Sequence, residues 1–149
     1  MKSFWCAIAL AFFALSPAWA APGDTVVTDS EVTIPANSPN GYRLGPVKQG
    51  DTLTLQYVKG LWKAYGHIAT EDPDSRRTAH GDECRLVLAG PAQGGRPGPL
   101  IATVPPNTAE KPFIYVFPSD RAEVVLRIHT NSDVQHNPGK VTYKVKLTR

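Results

Sequence analysis

Val124-Val125-Leu126-Arg127-Ile128-His129 and, with eleven residues between, Val141-Thr142-Tyr143-Lys144-Val145-Lys146-Leu147-Thr148 decide the fold. In the first run Val124, Leu126 and Ile128 point one way, and Val125, Arg127 and His129 the other. In the second, Val141, Tyr143, Val145 and Leu147 alternate with Thr142, Lys144, Lys146 and Thr148. A period of two over this length marks a half-buried β-strand. The polar loop between them carries Asn131, Asp133, Gln135, Asn137 and His136, and closes on Pro138-Gly139. A loop held between two strands presents its oxygens in a fixed geometry, which suits a hard cation or a sugar. The same residue types are also ordinary turn formers.

Working outward, further strands are expected at Thr25–Thr28, Glu31–Ile34, Thr52–Val58, Arg85–Ala89, Leu100–Val104 and Phe113–Phe117. Turn signals separate them: Pro39-Asn40-Gly41, Gln49-Gly50-Asp51, Gly94-Gly95 and Pro105-Pro106-Asn107. No stretch shows a convincing amphipathic helix, and there are no internal repeats. Short strands at this spacing predict an all-β, single-domain antiparallel sandwich. Gly90–Gly98 reads as a surface loop. Lys144, Lys146 and Arg149 read as a solvated face guarding a sheet edge.

The first 20 residues read as a secretory signal peptide. Lys2 supplies the charge, Trp5–Leu15 the apolar run, and Ala18-Trp19-Ala20 the small-x-small cleavage site. Cleavage after Ala20 leaves 129 of the 149 residues, Ala21–Arg149, as one domain of ordinary size. The expected location is the periplasm or the exterior. No segment is long and apolar enough for a membrane span. Lys2 leaves with the peptide, so 15 of the 16 basic residues remain against 13 acidic ones. The near-neutral balance has no basic stripe with interleaved aromatics, which argues against nucleic acid. Cys6 also leaves, so Cys84 has no internal disulfide partner and is expected to be a buried free thiol.

Two more segments carry chemistry. Gly60-Leu61-Trp62-Lys63-Ala64-Tyr65-Gly66 ends the third strand with two aromatics. Trp62 suits either the core or a sugar ring. The long charged loop from Glu71 to Glu83 follows, with Asp72-Pro73-Asp74, Arg76-Arg77 and His80. Loops of this length are usually functional or mobile. It lacks the spacing of an EF-hand. His80, Asp82 and Cys84 lie close in sequence, but no orienting motif accompanies them, so an enzyme is not expected.

The order Gly50-Asp51, Gly60-Leu61-Trp62, Tyr65-Gly66, Asp72-Pro73-Asp74, Cys84-Arg85-Leu86-Val87, Asn131 and Asn137-Pro138-Gly139 resembles the PA-I galactophilic lectins and their wider LecA-like relatives. The likeness runs from about Val32 to Leu147 and implies a jelly-roll sandwich of galactose-binding-like type. It also implies calcium as cofactor and a glycan, galactose-like or another saccharide, as ligand. The founding lectin is a tetramer, so a homo-oligomer is a further implication. On this likeness Tyr65 would hold the cation through its carbonyl, with Asp133 and Asn137, and Asn131 as a further ligand. His136 stands where the family has the second of two adjacent asparagines, and imidazole is a poor ligand for a hard cation. Asp72 and Ser75 fall on the sugar-binding positions of the family's middle loop. With His136 they would hydrogen-bond a sugar, while Trp62 offers an apolar face. The expectation is therefore a lectin-like carbohydrate-binding protein. The alternative is an envelope protein-binding module, an inhibitor, immunity-type or accessory protein, that keeps the scaffold without the sugar.

Overall fold

Alternation of apolar and polar residues becomes two stacked antiparallel sheets in the computed structural model, which describes residues 25–63, 75–77, 83–129 and 137–149 (backbone only for 75–77, 83 and 84). The first sheet runs β1 (Val26–Pro35), β9 (Gly139–Thr148), β3 (Thr52–Trp62), β7 (Phe113–Val116). The second runs β2 (Tyr42–Val47), β8 (Arg121–His129), β5 (Glu83–Ala89). Beyond β5, its far edge is shared by β4 (Ser75–Arg77) at one end and β6 (Leu100–Thr103) at the other. β8 and β9 are interior to different sheets. Their connection therefore crosses from one layer to the other.

The inward rows meet as alternation predicts. Val124, Leu126 and Ile128 of β8 and Leu86 and Leu88 of β5 face Val141, Tyr143, Val145 and Leu147 of β9, with Val32, Ile34, Leu53 and Leu55. Each such side chain contributes roughly 1.5–3 kcal/mol when fully withdrawn from water. The expected segments Thr25–Thr28 and Glu31–Ile34 form a single strand, β1, because β9 offers both an unbroken partner. Two strands, β2 and β4, fall where the sequence showed none. Tyr42–Val47 contains Gly45 and Pro46 and lacks a clean alternation, and it forms by pairing with β8 through two register shifts.

One expectation is corrected. Lys144 and Lys146 do not guard an edge, because β9 lies between β1 and β3; they stand on the exposed face of an interior strand. Arg149 is instead half of an ion pair. Its Nε and Nη2 donate to Asp51 at 3.0 and 2.8 Å, and the backbone N–H of Lys48 donates to the same carboxylate at 2.8 Å. The Asp51 side chain is fully buried. The Arg149 hydrogen bond, chiefly, holds its carboxyl below the usual range; burial opposes this, and the Lys48 N–H assists. This clamp ties the β2–β3 turn to the end of β9, and Phe117 joins it by backbone bonds to Gly50 and Asp51.

Candidate functional site

At the opposite end of the sandwich β3 ends at Trp62 and β9 begins at Gly139. Its geometry is set by an irregularity in β3. Tyr57 pairs with Tyr143 but Lys59 pairs with Thr142, so Val58 is an extra residue, a β-bulge. A bulge shifts the inward–outward parity of everything after it. Continued strictly from Leu53 and Leu55, alternation would aim Leu61 inward and Trp62 outward. After the bulge, Trp62 points into the core with 1% of its surface exposed, and Leu61 points outward with 63% exposed. Of the two roles open to Trp62, packing is the one this burial fits; its ring is not a surface platform for a sugar.

Past the bulge, β3 and β9 approach closely, and two glycines make this possible. Gly60 lies opposite Val141 and Gly139 opposite Trp62. Both have positive φ, +104° and +107°. A Cβ on Gly60 would sit 2.4 Å from the carbonyl oxygen of Lys140, and one on Gly139 would sit 2.3 Å from that of Leu61. The chain then leaves β3 through Lys63, whose N–H donates to the Pro138 carbonyl at 3.0 Å. The Gly139 carbonyl accepts from Ala36 at 3.0 Å. Asn137, 1% exposed, is buried at this junction. Leu61, Lys63, Pro138 and Gly139 line a shallow, mainly apolar groove above Trp62.

The sequence-predicted residues distribute as follows. Asn137 and Trp62 lie together at the β3–β9 junction. Ser75 is placed by its backbone in β4, opposite Arg85, which in turn lies opposite His129. Tyr65, Asp72, Asn131, Asp133 and His136 lie outside the described residues, as does the side chain of Cys84. Among the described residues no group of three His, Cys, Asp or Glu side chains could hold a metal ion. No helix among them is long and apolar enough to cross a membrane.

A feature missed by sequence reading sits on the outer face of the second sheet. Arg127, expected on the solvated side of β8, is only 2% exposed. Val87, Ala89 and Val125 form a small apolar cluster on that face. The Gly90–Pro99 segment folds back near it, held by an Ala92 N–H to Asn40 Oδ1 bond of 2.8 Å and a Gly90 N–H to Pro99 carbonyl bond of 2.8 Å. The guanidinium has two long contacts. Nη2 donates to the Gly98 carbonyl at 3.4 Å, and Nη1 lies 3.4 Å from His129 Nδ1. Guanidinium has no acceptor capacity, so Nδ1 is the acceptor and the imidazole proton sits on Nε2. Nε of Arg127 has no hydrogen-bond partner. Burial lowers the Arg127 pKa. Burial first, and the Arg127 charge second, lower that of His129. The only sequence signal was an arginine at a position whose two outward neighbours in the next strand, Val87 and Ala89, are apolar. The chain matches no family model, no curated protein and no solved structure.

Proposed function

We propose that this chain is a lectin-like carbohydrate-binding module of the periplasm or the exterior. Its ligand is held by the two loops that leave β3 and enter β9, with calcium as cofactor. One observation carries the reading. The described ends of these loops are bonded together, Lys63 N–H to the Pro138 carbonyl at 3.0 Å and Trp62 opposite Gly139. Tyr65 follows Lys63 by two residues and His136 precedes Pro138 by two. The bulge and the paired glycines thus supply a common base for both candidate ligand sets. Rigid strands carrying loops at one end of a sandwich are a recurrent binding arrangement. The division of strands, 1, 3, 7 and 9 against 2, 5, 6 and 8, supports the jelly-roll type, with β4 as an addition.

A second reading, a protein-binding module of the envelope, is favoured by the apolar groove beside exposed Leu61. Melting the purified protein in excess calcium and in excess chelator, then probing a glycan array under both conditions, separates the two. A ligand at a hundredfold excess over its Kd stabilises the native state by about 2.7 kcal/mol. Calcium-dependent stabilisation and glycan binding, both abolished by Asp133→Ala, are expected. Asn137→Ala is a poorer probe, because a buried side chain also bears on the fold. No glycan binding in either condition, with a stoichiometric protein recovered from the envelope, would transfer the assignment to the second reading.

A further inference from the structure

We propose that Arg127, flanked by His129 and Arg85 on the outer face of the second sheet, is the base of an anion-binding subsite that takes a carboxylate or phosphate group. The inference does not rest on the carbohydrate reading. It starts from a cation almost wholly removed from water. Guanidinium stays charged at any ordinary pH. Buried charges are held in proteins by an opposite charge or by a full set of short hydrogen bonds. Arg127 has neither. Among the described residues, acidic side chains pair with Arg43, Lys48 and Arg149 and not with Arg127. Its two contacts are at 3.4 Å, beyond the usual range for a charge-assisted bond, and Nε is unbonded.

The placement of its described neighbours suits an anion. The cross-strand register sets Arg85 directly opposite His129, with Arg127 one step along the same face of β8, opposite Val87. His129 and Arg85 are part-exposed, whereas Arg127 is not. An anion arriving from solvent on this side therefore meets His129 first and Arg127 behind it. The imidazole Nε2–H is free to donate, since Nδ1 faces Arg127. The apolar cluster Val87, Ala89 and Val125 lowers the local dielectric, which strengthens any charge-assisted bond formed there. A planar oxyanion bonded to Arg127 in the two-pronged manner would give Nε the partner it lacks.

The test is titration calorimetry of the purified protein with three probes: inorganic phosphate, glucuronate and uncharged glucose. Thermal melts of wild type and Arg127→Met without probe check the fold. Phosphate or glucuronate is expected to bind and glucose to be indifferent at this subsite. Arg127→Met is expected to weaken the anion by tenfold or more, as loss of a charged hydrogen bond does. Its melting temperature should stay level or rise, since it removes a buried charge. Binding of glucuronate alone assigns the subsite to a carboxylate ligand, and of phosphate alone to a phosphate ligand. The proposal is overturned if neither anion binds at millimolar concentration, or if folded Arg127→Met binds them as wild type does. Binding of a neutral glycan elsewhere bears on the lectin reading and leaves this one untouched.

Discussion

Gly139→Ala tests the geometry on which the loop-bearing end depends. An L-residue at φ +107° is strained by about 1–3 kcal/mol. The new Cβ would also lie 2.3 Å from the Leu61 oxygen and 2.6 Å from the Trp62 Cα. Both are backbone atoms, so no rotamer change relieves the contact. Restoring ordinary contact distance requires the strands to part by about 1 Å. That movement strains the Lys63–Pro138 and Ala36–Gly139 backbone bonds, each 3.0 Å long and each worth about 0.5–1.5 kcal/mol. The sum is about 2–6 kcal/mol, equivalent to a fall in Tm of roughly 8–24 °C for a domain of this size. Gly50→Ala is the matched control. Its φ is +88° but nothing lies within 4 Å of the added Cβ, so only the strain applies. Urea denaturation of both variants, fitted with a common m, should separate them by about 2 kcal/mol. If the two midpoints shift equally, the close approach of β3 and β9 is not what the glycine serves, and the account of the junction is wrong.

Three further outcomes follow from the charges and the core. His129 has a lowered pKa when folded, so the unfolded chain takes up the proton first. Stability should be flat above the ordinary imidazole value and decline as pH falls below it toward the folded value, by at most about 1.4 kcal/mol per pH unit. His129→Gln should flatten that limb in urea titrations between neutral and mildly acidic pH, and an unchanged limb would exclude His129 as its source. Asp51→Asn should cost about 1–3 kcal/mol, because the buried group loses its charged bonds while Arg149 keeps access to water. Since the Asp51 pKa is lowered, the wild-type advantage should be complete above the ordinary carboxylate value and vanish as pH falls through the folded one. Leu86→Ala, at a fully buried inward position, should cost about 2–5 kcal/mol by denaturant titration, and a loss under 1 kcal/mol would contradict the inward assignment of that row.

The sandwich was legible because β8 and β9 alternate strictly in sequence and are interior to their sheets. Their inward rows follow from parity alone. What alternation could not show was a break in parity. Nothing in Tyr57-Val58-Lys59-Gly60 announces that Val58 is an extra residue, yet this bulge exchanges the orientations of Leu61 and Trp62. A bulge is a property of two paired strands, and the partner's register is invisible from one segment. Arg127 was misjudged for a similar reason. Its place on the outward row was correct, but outward meant solvated only if nothing covered the sheet. The Gly90–Pro99 loop was recognised as a loop, while its return across the face of β5 and β8 depends on contacts such as Ala92 to Asn40, far apart in sequence. β4 and β2 exist through their partners, so pattern reading passed over them.

Two buried charged side chains, Asp51 and Arg127, differ in how well they are served, and this contrast links the fold to its use. At the Asp51 end a buried carboxylate receives three bonds between 2.8 and 3.0 Å, two from Arg149 and one from Lys48. Those groups need nothing from outside. Arg127 of β8 is nearly inaccessible, and its Nε has no partner. An incompletely bonded buried charge works against a net stability that in proteins of this kind is about 5–15 kcal/mol. Incomplete polar satisfaction is expected where a structure is shaped for something other than its own stability. A mere packing fault could have been relieved at Arg127 by an apolar residue, since Val87 and Val125 already furnish a matching surface. Replacing such a buried cation with methionine should cost the isolated domain nothing, whereas a domain that must hold an anion there would lose its ligand. The unrelieved charge is thus the observation that carries the proposed anion subsite on the outer face of the second sheet.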